Sequence, residues 1–346
     1  MKKLTLALLF SVAPAVIFAQ TTRFGGRGLL RTLSAETTPR SQLFINGFFS
    51  SFLSPTEGAS SLSKDHTLSL SVTYGLSRHF ELTGHFTAYQ DDQAHIWGPP
   101  GDSRIGLKAQ LPVSDGGFHS ALHVFGKFPT ARNHNVAFEP FSTDAIGMGM
   151  VGVVTFDMTD AFPLFPLKMH LNFGYMDHKL GSNPFGAEED QYILAGGFKF
   201  PIRSAVLYTE YSAEVFTRNQ VVNRYSHNSQ RVTQGLKLLG PWNVVLDFAL
   251  DVSLSRDPEV EQLPYLKKYA DWKFLFGVTH QMSFKRAKPT REQRQKKIQE
   301  RIENERLQAV REKRQEMQDE LKRMEESLEG GEDKKEKKKK KNDGNL

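Results

Sequence analysis

The chain alternates apolar and polar residues one for one over long stretches. From Leu68 to Tyr74, leucine, valine and tyrosine at even positions alternate with serine and threonine at odd ones. A second alternating stretch runs from 80 to 89, after a turn at 75–78. A period of two residues predicts β-strands with one apolar and one polar face, here joined as a hairpin. Each strand is long enough to cross a bilayer when tilted, which takes ~9–11 residues.

The same pattern predicts further strands along most of the chain. The most regular ones lie at 243–253 and 271–284, whereas the first strand carries phenylalanines at both parities. The predicted strands are 42–53, 66–77, 79–90, 102–112, 117–128, 144–158, 166–178, 190–201, 204–216, 230–239, 242–255 and 271–284. Consecutive strands of this kind predict an antiparallel meander.

The connections between these strands alternate between long and short. The long ones are rich in Pro, Gly, Asn and Asp and lie at 54–65, 91–101, 129–143, 179–189, 217–229 and 256–270; the short ones lie at 77–79, 113–116, 159–165, 202–203 and 240–241. A membrane barrel has long external loops and short periplasmic turns, whereas a soluble sandwich has no reason to keep this rhythm. Aromatic residues concentrate near both strand ends, where rings would meet lipid headgroups. The prediction is therefore all-β, an antiparallel up-and-down transmembrane β-barrel of about twelve strands.

The start of the chain has the features of an export signal. Lys2 and Lys3 precede an apolar stretch at 4–18, and Ala19 offers a small residue for cleavage before Gln20. We therefore expect a signal peptide at 1–19 and a Gly/Arg-rich N-terminal leader at 20–41. The chain contains no cysteine, which excludes disulfides and thiol metal sites.

An export signal, a twelve-strand meander and a last strand that ends in Phe284 (FLFGVTHQMSF) together resemble bacterial outer-membrane β-barrel proteins. The resemblance is architectural and covers residues 42–284. It implies a location in the bacterial outer membrane, contact with outer-membrane lipid, and recognition of the terminal aromatic residue by the barrel-assembly machinery. Phe284 is internal here, because sixty-two residues follow it.

Those following residues differ sharply in composition from the barrel. Residues 285–346 contain 21 of the 45 Lys+Arg and 15 of the 39 Asp+Glu, so the remaining 24 and 24 balance. The segment 285–330 is rich in helix-forming residues and predicts a charged periplasmic α-helix. Residues 331–346 predict a disordered Lys-rich tail. The basic character of the protein therefore belongs to this extension, and nothing indicates a nucleic-acid partner.

The predicted helix carries a partial heptad pattern, which leaves two interpretations open. It is either a solvated charged helix or a partner-binding helix of coiled-coil type, and the break at Arg314 argues against a stable homomeric coiled coil. The basic run at 334–341 could contact anionic glycan or lipid by electrostatics alone. Possible partners are therefore peptidoglycan or a periplasmic protein. The heptad positions are Leu307, Val310, Met317, Leu321, Met324 and Leu328.

Parity places charged side chains of both signs on the inward face of the barrel. Neighbouring strands near the end of the chain carry opposite charges, as cross-strand pairs prefer. Such residues either fill and rigidify a narrow interior or line a pore that selects solutes, and twelve strands are intermediate between these cases. The candidate lumen-lining residues are Glu81, Arg104, Lys108, Lys127, Lys168, Lys199, Glu210, Glu214, Arg231, Lys237, Asp247 and Asp251.

No pattern in the chain predicts catalysis, a cofactor or a metal site. His119 and His123 share a face but are separated by about 13 Å along a strand, too far to share an ion. Asp91, Asp92 and His95 are typical loop residues, and no serine nucleophile motif accompanies them. The glycines at 25–28 lack the strand–helix context of a phosphate loop.

Two functions follow from these patterns. The first is a pore or transporter for small solutes with a periplasmic helical extension. The second is a structural outer-membrane anchor, whose helix and basic tail bind a periplasmic partner or the cell-wall glycan. The sequence predicts that the protein is not an enzyme, and it does not reveal whether the lumen is open or plugged.

Overall fold

The structure is a computed structural model that describes residues 20–55, 62–90, 100–131, 145–159, 166–180, 190–202, 204–218, 224–256 and 270–284. The chain divides into two units, Met1–Lys285 and Arg286–Leu346. The predicted signal peptide, C-terminal helix and Lys-rich tail lie outside the described residues. Within them, no helix has the length and apolar character needed to span a membrane.

Twelve strands make up most of the described chain. They are β1 (Gln42–Pro55), β2 (Leu62–Gly75), β3 (Phe80–Gln90), β4 (Ser103–Asp115), β5 (Phe118–Phe128), β6 (Gly147–Asp157), β7 (Lys168–Asp177), β8 (Gln191–Ile202), β9 (Ala205–Phe216), β10 (Ser229–Leu239), β11 (Val244–Ser253) and β12 (Trp272–Ser283). A short 3₁₀ helix, Tyr225–His227, precedes β10.

The strands form one closed barrel. Each strand pairs antiparallel with the next in the chain, and β12 pairs with β1 to close the sheet. The predicted all-β antiparallel barrel of twelve strands is thereby confirmed. Closure satisfies the backbone groups of every strand, which removes the exposed edges of an open sheet.

The two faces of the sheet differ as the alternation predicts. In β3, the inward side chains of Glu81 and Thr83 are buried, whereas the outward side chains of Phe80, Leu82 and Phe86 are exposed. The same inversion recurs around the barrel, where buried residues include many charged groups and large apolar residues lie on the outer surface. This distribution is typical of a barrel whose outer wall faces lipid.

Two connections are shorter than predicted. The expected loop at 54–65 is reduced, because β1 and β2 keep pairing as far as Pro55 and Leu62. Strand β4 reaches Asp115 instead of 112, and the turn to β5 consists of Gly116 and Gly117, both with positive φ. Backbone pairing does not depend on side-chain polarity, so strands extend past the residues that show the apolar period.

The leader occupies the interior of the barrel. Its side chains at Leu29, Leu30 and Ala35 are fully buried. Isolated β-bridges join Thr21 to Arg27 and Gly28 to Leu33, so the segment folds back on itself. The turn within it passes through Gly25 and Gly26 at φ 83° and 90°, a conformation that favours glycine.

Apolar contacts support the leader on two sides of the lumen. Leu29 and Leu30 pack in a cluster with Phe48, Tyr208, Ala249 and Leu275. Leu33 and Ala35 pack in a second cluster with Ala121, Phe125, Val151, Val153 and Met176. The barrel therefore has a core, and the N-terminal leader provides the centre of that core.

Candidate functional site: the lumen and its leader

Two carboxylates of the wall hold the backbone of the leader. Glu210 on β9 accepts hydrogen bonds from the backbone N–H groups of Leu30, Arg31 and Thr32, at 3.2, 2.9 and 3.0 Å. Glu81 on β3 accepts from the N–H groups of Arg27 at 3.1 Å and Thr38 at 2.6 Å. A carboxylate can accept several hydrogen bonds, so each of these two carboxylates takes the place of the water molecules that would otherwise bind the leader N–H groups.

Three lysines of the wall bind acceptors of the leader. The Nζ of Lys237 donates to the carbonyl oxygens of Thr21 and Leu29, both at 3.1 Å. The Nζ of Lys108 donates to the carbonyl oxygens of Ser34 and Glu36, at 2.9 and 3.0 Å. The Nζ of Lys199 donates to the side-chain oxygen of Gln20 at 3.1 Å. The wall thus binds the leader through cations as well as anions.

Ion pairs add to this network. Arg31 of the leader pairs with Asp251 on β11 at 2.6 Å. Glu36 of the leader pairs with Arg27 at 3.0 Å and with Lys168 on β7 at 2.7 Å. These contacts tie the middle and the end of the leader to different strands.

The Glu36 carboxyl is strongly biased towards its charged form. Burial alone would raise its pKa, but the positive charges of Arg27, Lys199 and Lys168 outweigh burial and hold the pKa well below its usual value of 4.5. Glu36 therefore stays ionised between its cations at neutral pH.

Other charges of the wall pair with each other across strands. Lys108 lies 2.8 Å from Glu81, and these residues are direct partners in the β3–β4 register. Lys237 lies 2.9 Å from Asp247, its partner in the β10–β11 register. Because ions inside a barrel lose their water, such pairing offsets much of the cost of burying them.

The structure places all twelve sequence-predicted residues on the lumen side, in three groups. Most contact the leader, and others pair within the wall. The leader-contacting residues are Glu81, Lys108, Lys168, Lys199, Glu210, Lys237 and Asp251; the wall-paired residues are Lys127, Arg231 and Asp247; Arg104 and Glu214 line a cavity.

Sequence reasoning missed the other half of this network. Arg27, Arg31 and Glu36 belong to the leader, to which no position was assigned. Asn172 on β7 was also missed, although its side chain binds both the N–H and the carbonyl of Leu33, at 2.6 and 2.9 Å. One signal was available: the phenylalanines at both parities of β1 require an apolar partner inside the barrel.

A cavity remains between the leader and the wall. It lies towards the ends of the strands that carry the long loops, and it has about 790 Å³ of space free of protein atoms, including solvent at its mouth. The leader contributes Thr22, Phe24 and Leu33 to its lining. The leader therefore fills much of the lumen but leaves a cavity against part of the wall.

The chain is similar to solved structures of outer-membrane channels. One is an outer-membrane channel from Pseudomonas putida F1, with 8% sequence identity, a TM-score of 0.52, and coverage of 72% of this chain and 98% of that one. Another is the KdgM porin, with 8% identity, a TM-score of 0.44, and coverage of 68% and 98%. No protein-family model and no curated protein sequence matches the chain. The predicted resemblance to bacterial outer-membrane β-barrel proteins is confirmed at the level of fold.

Proposed function

We propose that this chain, which has the fold of bacterial outer-membrane β-barrel channels, conducts small solutes across that membrane and that its leader gates the lumen. The observation that carries the proposal is that charged side chains of the wall bind the leader through hydrogen bonds. Its backbone is bound by Glu81, Lys108, Glu210 and Lys237 through hydrogen bonds. Water can replace each of these bonds at a net cost of only ~0.5–3 kcal/mol, so the leader can leave a lumen that is then lined by charged, hydrated groups.

The direction of gating follows from the connections. Long loops face the outside and short turns face the periplasm in outer-membrane barrels. The leader joins β1 at its short-turn end, where the N–H of Ser41 donates to the carbonyl of Gly75 at 2.8 Å. Gln20, at the other end of the leader, binds Lys199 near the short-turn end of β8. A leader released from the wall would therefore withdraw towards the periplasm.

Glu210→Gln tests this gate, because it keeps the shape of the side chain and removes its charge. The backbone amides of residues 30–32 should then exchange with solvent on the order of ten- to hundredfold faster, and openings in planar bilayers should become longer. Thr209→Val is the matched control, since Thr209 is the outward neighbour on β9 and bonds Gln234 instead of the leader. If neither wild type nor Glu210→Gln conducts, the channel proposal is wrong.

A second candidate function is a structural anchor, which the filled lumen favours. A barrel whose interior is packed by its own leader can serve as a rigid hub for the extension after Phe284. In this proposal the helix at 285–330 and the tail at 331–346 lie in the periplasm and bind a periplasmic protein or peptidoglycan. Deleting residues 287–346 should then abolish co-sedimentation with cell walls while the barrel stays folded; unchanged co-sedimentation would exclude the anchor.

Both candidate functions require the same membrane environment and the same route of assembly. The apolar outer wall would contact outer-membrane lipid, and the barrel-assembly machinery would insert the chain. The side chain of Phe284, next to the end of β12, is exposed and available for that recognition. Depletion of the assembly machinery should leave the protein protease-sensitive in the periplasm if this is its route.

A further inference from the structure

Arg104 stands apart from the other charges of the lumen. Its guanidinium lies over the ring of Phe24 at 4.4 Å and near the ring of Phe125 at 5.5 Å. Among the described residues, it makes no hydrogen bond or ion pair. The two rings stabilise the guanidinium by cation–π contacts, and Arg104 lines the cavity. An arginine fixed in this way is a ready partner for a planar anion.

A second donor lies on the same side of the cavity. The Nε2 of His123 is 3.1 Å from the hydroxyl oxygen of Thr83, and Nδ1 has no hydrogen-bond partner although the side chain is buried. Either atom can be the donor in this contact; in the tautomer in which Nε2 accepts from the Thr83 hydroxyl, Nδ1 carries the ring proton and is a donor. A buried donor without an acceptor is costly, and an acceptor atom of a ligand would remove that cost.

Polar side chains line part of the cavity, among them Thr22, Asn172, Ser212 and Ser229, and another part of its wall is apolar. Leu33 of the leader, Val151 on β6, and Ile193 and Ala195 on β8 contribute to the apolar part. An apolar body next to a charged group fits the combination of surfaces.

The charges of the cavity wall favour a ligand with a single negative group. Arg31 also lines the cavity, but it is paired with Asp251. Glu214 also lines the cavity, and together with Asp102 it is a carboxylate that acts electrostatically on Arg104. Asp102 in turn lies 3.5 Å from Lys127. A second negative charge on the ligand would meet Glu214, so a dianion is disfavoured.

We propose that this cavity binds a small monocarboxylate with an apolar body, whose carboxylate is bound by Arg104 and His123. The inference rests on the proposed channel function and names the class of solute that would enter it. Arginine binds carboxylates through two parallel hydrogen bonds, which gives direction as well as affinity. Val151, Ile193 and Ala195 would then cover the apolar body.

Calorimetric titration of the full-length, detergent-solubilised protein with benzoate tests the site. Benzamide is the neutral comparison ligand, since it has nearly the same shape without the charge. Wild type should bind benzoate at least about tenfold more tightly than benzamide, and Arg104→Gln should remove about that factor. Arg78→Gln is the matched control and should leave binding unchanged, because Arg78 is an exposed residue in the turn between β2 and β3.

A second variant covers the case in which Arg104→Gln does not fold. Ala195→Leu keeps every charge but fills part of the cavity, so it should also weaken benzoate binding. Equal affinities for benzoate and benzamide, undiminished binding by Arg104→Gln, or no benzoate binding by wild type would each overturn the inference. Binding by a protein that never conducts would uphold the site and reject the channel; conduction without binding would do the reverse.

Discussion

Charged side chains of this barrel act on the backbone of the leader as much as on each other. Lys237 illustrates this, because its one ammonium group contacts Asp247, the carbonyl of Thr21 and the carbonyl of Leu29. Two of these contacts are hydrogen bonds to the leader and the third is an ion pair within the wall. The docked leader is therefore part of what makes burial of these charges tolerable. When the leader leaves, water molecules have to bind these charged side chains in place of the leader backbone.

Acid should weaken docking of the leader through Glu36. Its pKa is lowered in the docked state, so its contribution is complete above about pH 4.5 and is lost as the pH falls through the lower pKa of that state. We expect the open time of wild-type channels to lengthen between about pH 5 and about pH 3. Glu36→Gln should have longer openings already at neutral pH and a smaller change over this range. Identical pH profiles for the two proteins would contradict this role of Glu36.

At the scale of single elements, the side chains of β1 match the contacts that this strand makes with the leader. Phe44, Phe48 and Phe52 face inward and are buried, whereas Ile45 and Phe49 face outward. Both faces of this strand thus carry large apolar side chains, and the inward face also carries the buried polar residues Asn46 and Ser50. Phe48 packs in the same cluster as Leu29 and Leu30.

Neighbouring phenylalanines of β1 therefore make a matched pair for mutation. Phe48 is 3% exposed and Phe49 is 40% exposed. Phe48→Ala should cost about 3–5 kcal/mol of unfolding free energy and loosen the leader, because it opens a cavity in the packed interior. Phe49→Ala should cost less, since lipid can fill the space. Urea unfolding from lipid vesicles measures both, and equal losses would reverse the assigned facing.

The sequence was sufficient to predict the strands. A period of two is a local property, so β3 or β12 can be recognised from its own residues. The partners of the charges could not be predicted in the same way. Glu210 lies on the strand next to the basic residues of β10, yet it binds leader amides about 180 positions earlier in the chain. Such contacts exist only after the barrel has closed around the leader.

The leader itself is too short and irregular for a periodic pattern to place it. Its structure comes from a turn at Gly25 and Gly26 and from groups on opposite walls. No local signal connects Leu33 with Asn172, which follows it by 139 residues. The sequence therefore predicted the bounds of the leader but not its position in the barrel, and it left open whether the lumen is filled.

For the whole molecule, the main expectation is that the outer wall faces lipid. Leu70→Arg should cost about 2–4 kcal/mol of folding free energy, because Leu70 lies outward near the middle of a strand pair. Leu76→Arg should cost about 0–1 kcal/mol, since Leu76 lies just beyond the short-turn end of β2. The two leucines are equally exposed, at 45% each. Folding titrations in vesicles compare them, and equal costs would show that no lipid surrounds Leu70.

The account depends most on a leader that closes the lumen and can leave it. A cysteine pair at Thr21 and Thr279 is designed to lock it, because the side-chain oxygens of these two residues lie 3.5 Å apart. The chain has no native cysteine to interfere. Thr279→Cys alone is the control, and it should respond to neither oxidant nor reductant.

The decisive measurement is single-channel conductance of the Thr21→Cys/Thr279→Cys protein, recorded oxidised and then after addition of reductant. The oxidised protein should be silent, because the disulfide holds the leader against β12, and reduction should restore openings like those of wild type. Equal conductance before and after reduction would show that solutes pass without movement of the leader, which would contradict the proposed gate.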